Sequence, residues 1–141
     1  DKSHDQFMQT ISAVDGLDAY PVKGGVSIVL PESLVYGSGS AEIIHKDLLH
    51  RLGLRLKTAT GTIRVEGHTD SIPVFNDKYR SNWELSTQRA VNVVKFLVKE
   101  CDIDPHMLSA AGYADSRPVS FNDSPEGRAL NRRVNLIISL K

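Results

Sequence analysis

"TIRVEGHTDSIPVFNDKYRSNWELSTQRA", Thr62 to Ala90, contains the turn of the chain on which the fold depends. "TIRVEGH" alternates and is rich in β-branched residues, the pattern of a strand with one face on a core. Pro73, Asn76 and Asp77 then break any period, so residues 71–80 read as a loop. Ser81 and Glu84 have the spacing of a capping box, and Ala90, Val93, Val94, Leu97 and Val98 continue as the buried face of a helix. Asp70 falls just past the carboxyl end of the strand, where sheets of this kind hold ligands. Arg89 falls two turns into the helix, bordering its apolar stripe.

A guanidinium beside an apolar stripe, near the positive end of a helix, needs a negative partner. Two readings supply one. Asp70 and Arg89 form a plain salt bridge, or the two charges await a ligand that carries both signs. An exposed pair contributes only ~0–1 kcal/mol, and a buried pair often stabilises less than an apolar replacement. The fold gains little from such a pair, which shifts the weight toward recognition. The matching ligand is a zwitterion such as the α-carbon end of an amino acid, with its ammonium at Asp70 and its carboxylate bidentate on Arg89.

Outward from this stretch, "LDAYPVKGGVSIVL" reads as a β-hairpin around Gly24-Gly25, closed by Pro31. "YGSGS" is a turn with Ser40 as N-cap, and Ile44, Leu48, Leu52 and Leu56 give a helical stripe over Ala41–Ala59, weakened by Gly53. "LSAAGYAD" reads as a strand running into a loop, "EGRALN" as one or two helical turns and "RRVNLIISL" as a last strand. Phe7, Met8 and Ile11 allow a short amphipathic helix in residues 1–20, a segment expected to be helical or linker-like, with the folded domain over 21–141. The order predicts an α/β (α+β sandwich) fold: a mixed β-sheet with βαβ crossovers and two main helices on one side.

Composition excludes several function classes. The 141 residues suffice for one domain with a real core. Lys plus Arg and Asp plus Glu are 17 each, so the net charge is zero, unlike a general nucleic-acid or membrane-surface binder. Cys101 is the single cysteine, without a CxxC or zinc pattern, and reads as a small packed thiol near a helix end. His4, His45, His50, His68 and His106 show no metal-ligand spacing, although His68 stands beside Asp70 and could shape the site. "GSGSAEI" is neither a P-loop nor GxSxG, so no nucleophile elbow is present. Trp83 reads as a core or edge aromatic at a helix start in preference to a ligand platform. Arg132 and Arg133 point to opposite sides, the outward one toward solvent. No metal, cofactor or catalytic set is implied. The chain opens at Asp1 without a methionine and has no run of 18 apolar residues, the expectation for a processed or excised segment.

"VEGHTD", "SNWELSTQRAVNVV", "AAGYADSRPV" and "EGRALNRRVNLII" occur in this order and resemble the OmpA-like C-terminal domain, the peptidoglycan-binding module of Gram-negative envelope proteins. The likeness spans about Gly25 to Leu140, and "SNWELS", "HTDSIPV" and "GRALNRRV" are most similar to the MotB-type branch, the periplasmic anchor of flagellar stators. The resemblance implies a noncatalytic domain binding the diaminopimelate of the peptide stem. It implies Asp70 for the ammonium and Arg89 for the carboxylate, with Asn82, Thr69 and Arg132 around them. Leu85 takes the position where a backbone N–H can face the carboxylate. One departure is Gly37 after Tyr36, where many members carry an acid. The resemblance also implies a weak homodimer, and attachment to a membrane only through a segment outside this chain. Other envelope anchors (outer-membrane protein, lipoprotein, type VI secretion component) share the module; a wall hydrolase is the remaining alternative.

Overall fold

The computed structural model describes residues 2–57 and 61–139. The alternating run becomes β3 (Ile63–His68), with Ile63 and Val65 buried on one face and Arg64 exposed on the other. The capped helix is α3 (Asn82–Cys101): the Ser81 hydroxyl accepts the Trp83 N–H at 3.1 Å and donates to the Glu84 carboxylate. Thus Ser81 caps a helix position one residue earlier than the usual capping box, while Glu84 still closes the motif. α3 returns the chain to β4 (Leu108–Gly112), which lies parallel to β3.

The hairpin is β1 (Asp18–Val22) and β2 (Gly25–Pro31), joined by Lys23 and Gly24, whose φ of +78° suits glycine. After the short helix α4 (Pro125–Asn131), β5 (Arg133–Ser139) inserts antiparallel between β2 and β3. The sheet of the described residues therefore runs β1-β2-β5-β3-β4, a mixed sheet with a parallel pair across the α3 crossover. Helices α2 (Lys46–Leu56) and α3 pack over it. Val26, Ile28 and Leu30 of β2 and Val134, Leu136 and Ile138 of β5 meet Leu49, Leu52 and Leu56 of α2 and Val93 and Leu97 of α3 in one core.

Gly67 decides how close α3 comes to the sheet. A Cβ there would lie 2.1 Å from the Ser86 carbonyl oxygen, so only glycine lets the two backbones meet. This approach sets the carboxyl end of β3 against the first turns of α3, and so brings Thr69 and Asp70 beside Asn82 and Leu85.

Two expectations are corrected. α2 begins at Lys46, not at Ala41, and Ser40 is not its cap. The backbone of 40–44 is used elsewhere: Ile43 pairs with Tyr36 in an isolated bridge, the Ile44 N–H bonds the Val35 carbonyl, and the Asn92 amide holds the Ala41 carbonyl. Tertiary bonds have outcompeted helix propagation there, and Ile44 is left exposed while Leu49 joins the buried face. The expected helix end at Ala59 and the strand end at Leu140 lie outside the described residues. Residue 20, where the expected division lies, is inside β1. Ile11 of α1 (Lys2–Asp15) is fully buried in the same core as the sheet. Cys101 is a half-buried thiol against α2, where Gly53 leaves room for its sulfur, and desolvation pushes its pKa up.

Candidate ligand-binding cleft

A cleft of about 460 Å³ opens where the carboxyl end of β3 meets the start of α3. Thr69, Asp70, Asn82, Leu85, Arg89 and Arg132 all line it. They arrive from a strand end, a helix start and the junction of α4 with β5, three points that the sheet order makes neighbours. Residues 69–72 are held in shape before any ligand enters. The Thr69 N–H bonds the Ala114 carbonyl at 2.8 Å, and the Ile72 N–H bonds the Asp70 carboxylate at 3.0 Å. The Asn82 amide clamps the same turn through the Ile72 carbonyl at 3.1 Å.

The charges do not pair as the sequence suggested. Asp70 bonds Arg132, not Arg89, at 2.9 Å. Arg89 bonds Glu32 at 2.7 Å, and Arg132 reaches the other oxygen of the same carboxylate at 3.1 Å. The result is an alternating chain, Asp70–Arg132–Glu32–Arg89. Glu32 is the member of this charge network that sequence reasoning missed. It stands 57 positions before Arg89, in a single 3₁₀ turn after Pro31, and no period or spacing connects the two.

Arg89 is 2% exposed and owes its burial to more than Glu32. Its Nε donates to the Ser40 carbonyl at 2.8 Å, its Nη2 to the Gly37 carbonyl at 3.4 Å, and its guanidinium lies 4.8 Å from the Tyr36 ring centroid. The Tyr36 hydroxyl in turn donates to the Arg89 carbonyl at 2.7 Å. Burial pushes the Tyr36 phenol pKa up, and the Arg89 charge pulls it part of the way back. Arg89 thus ties the 37–40 turn to α3, and Arg132, whose side chain is 33% exposed, is the more open of the two guanidinia that share Glu32.

Two further expectations change. The Leu85 N–H bonds the Ser81 carbonyl at 3.2 Å inside α3, so it is not free to face a carboxylate; its side chain packs with Ala41 and Tyr79 under the cleft. Arg133 does point away from Arg132, but not into solvent. It is 6% exposed and donates to the Asn131 and Arg117 carbonyls. Trp83 is an edge aromatic, one of the two placements expected for it, exposed and outside the core.

His68 faces the opposite side of the sheet from the cleft, stacked on Tyr113 and beside Glu66. Burial pushes its pKa down to about 4, helped by Arg133 and Arg117 and opposed by Glu66. Between the ordinary value near 6.5 and about 4, the unfolded chain binds a proton that the folded one refuses. Acidification through that window is therefore expected to remove up to about 3 kcal/mol of stability through this residue. Urea unfolding at pH 7 and 4.5 checks this. The acid-induced loss should be larger in the wild type than in His68→Gln, and equal losses would contradict it.

Paired carboxylates and guanidinia on a preshaped turn offer groups that can meet both signs of charge on one ligand. Among the described residues, no three His, Cys, Asp or Glu side chains are placed to hold a metal. Residues 36–132 match the OmpA family, and the chain belongs to it, a family of noncatalytic domains. Motility protein B of Bacillus subtilis is 32% identical over 137 residues, 95% of this chain and 52% of that protein. The chain spans about half the length of the curated relatives it matches. The cell wall anchor of the T6SS from Pseudomonas aeruginosa superimposes with a TM-score of 0.89 at 29% identity, covering 95% of this chain and 97% of that one. The periplasmic domain of Helicobacter pylori MotB gives 0.82 at 27%, covering 89% and 83%.

Proposed function

We propose that this domain holds peptidoglycan through the diaminopimelate of the peptide stem and so anchors an envelope complex to the cell wall in the periplasm. The observation that carries the reading is the cleft itself: carboxylates and guanidinia alternate at the carboxyl end of β3 in an OmpA-family domain. Asp70 takes the side-chain ammonium of diaminopimelate, and the adjacent carboxylate goes to the guanidinium groups. That carboxylate competes with Glu32 for the N–H groups of Arg89 and Arg132. The displaced Glu32 then turns to the incoming ammonium, so no charge is left unpaired. Thr69 and Asn82 keep the turn in its binding shape.

The complex served is a flagellar motor stator, in which the domain works as a weak homodimer. The similarity to motility protein B over 95% of the chain supports this. The second reading is another envelope anchor, favoured by the TM-score of 0.89 to the T6SS cell wall anchor. Neither reading requires a cofactor, a nucleic acid or catalysis.

Co-sedimentation with purified sacculi tests the shared part. The domain should pellet with sacculi that contain diaminopimelate and release no soluble wall fragments. A domain that stays in the supernatant, or that liberates fragments, would overturn the reading.

A further inference from the structure

The charges of the cleft do not balance. Three guanidinium groups line it, on Arg89, Arg128 and Arg132, against two carboxylates, on Glu32 and Asp70. The alternating chain uses both carboxylates on Arg89 and Arg132. Arg128 is left over. Among the described residues it meets no carboxylate; its one side-chain bond is Nη1 to the neutral Asn122 carbonyl at 3.0 Å.

Arg128 is also held in place. Its backbone lies in α4, capped by Ser124, and the Asn122 that anchors its guanidinium accepts the Ser71 N–H at 3.2 Å and an Asn131 amide N–H at 3.0 Å. Half-buried Arg128 is thereby tied to the turn that carries Asp70. A guanidinium has five N–H donors in a rigid fork suited to carboxylate, and one carbonyl leaves most of them unused. A ligand bearing a single ammonium and a single carboxylate is neutral and would leave the surplus charge in the cleft.

We propose that Arg128 is a second anion contact of this cleft and binds a carboxylate of the peptide stem other than the one beside the diaminopimelate ammonium. This rests on the peptidoglycan reading above. Two groups of the stem carry that chemistry. One is the free α-carboxylate of the preceding glutamyl residue, which is joined to diaminopimelate through its γ-carboxyl. The other is the α-carboxylate of diaminopimelate itself when it ends the peptide. Either gives a ligand one net negative charge or more, to match the surplus of the cleft.

Calorimetry with three soluble tripeptides decides it: L-Ala–γ-D-Glu–diaminopimelate, the same peptide with the glutamyl α-carboxylate amidated, and the same with the diaminopimelate α-carboxylate amidated. One amidation should weaken wild-type binding by ~10-fold or more, the scale of a lost charge-assisted hydrogen bond. That amide identifies the group bound. In Arg128→Gln the same discrimination should fall to near unity, and Arg128→Lys should restore part of it. Equal binding of all three peptides by the wild type would overturn the assignment while leaving the peptidoglycan reading intact. So would discrimination that persists in Arg128→Gln. If no peptide binds, both readings fall together. An Arg128→Gln domain that melts earlier but still discriminates assigns Arg128 a structural part only, against the proposal.

Discussion

Replacing Arg89 with alanine is expected to destabilise the domain by about 3–5 kcal/mol, the range for removing one partner of a buried, hydrogen-bonded charge pair. Arg89 is 2% exposed and joins three elements: α3 through its backbone, the 37–40 turn through the Ser40 and Gly37 carbonyls, and the turn after β2 through Glu32. Alanine leaves the Ser40 carbonyl without its donor, Glu32 with Arg132 alone, and a void beside the Tyr36 ring. Lysine should recover only part of the loss, because one ammonium cannot span the Ser40 carbonyl and the Glu32 carboxylate as the guanidinium does. Urea unfolding measures the effect from the shift in midpoint at constant slope. A midpoint within error of the wild type would show that the network around Arg89 does not hold the turn. Loss of wall binding in this variant is therefore expected, but it would mix recognition with folding.

Asp70→Asn separates the two. Asparagine keeps a side-chain oxygen that can accept the Ile72 N–H, so the turn should survive. Arg132 keeps Glu32 and is 33% solvent-exposed, which limits the cost of its lost partner. The carboxylate that meets the ammonium is gone, however, and truncating one member of a desolvated charge pair typically costs 2–5 kcal/mol of binding. Affinity for sacculi should fall by ~30-fold or more, with a circular dichroism spectrum and melting temperature close to the wild type. Combining Asp70→Asn with Arg89→Ala should weaken binding by less than the product of the two, since both act on one ligand. An Asp70→Asn domain that binds normally would return the residue to a plain structural role.

Local chemistry was readable where it depends on neighbours in sequence. The β-branched alternation before Asp70, the Ser81–Glu84 cap and the helical stripe after it each act within a few residues, and each element is present, although the fully buried face is Ala90, Val93, Phe96 and Leu97, with Val94 and Val98 half-buried. Their order alone places Asp70 and Arg89 at one end of a sheet. The partner of Arg89 was not readable, because Glu32 is brought to it only when β5 slots between β2 and β3. The same holds for residues 40–44, whose sequence permits helix but whose backbone is engaged by Tyr36, Val35 and Asn92. Arg132 and Arg133 show both sides of this. Alternation separates their directions correctly, but the loop around Arg117 that buries Arg133 belongs to the tertiary structure. Arg128 carries no signal of its own in the sequence, because only the tertiary structure sets α4 at the border of the cleft.

The proposed grip is on a group carrying ammonium and carboxylate on one carbon. Titration calorimetry of the wild-type domain with two stem peptides, identical except for diaminopimelate or lysine at the third position, tests it most directly. Lysine supplies the ammonium but lacks the adjacent carboxylate, so nothing replaces Glu32 on Arg89 and Arg132. Saturable one-to-one binding of the diaminopimelate peptide is expected, with the lysine peptide bound more weakly by ~30-fold or more. Equal affinity for the two peptides would contradict it.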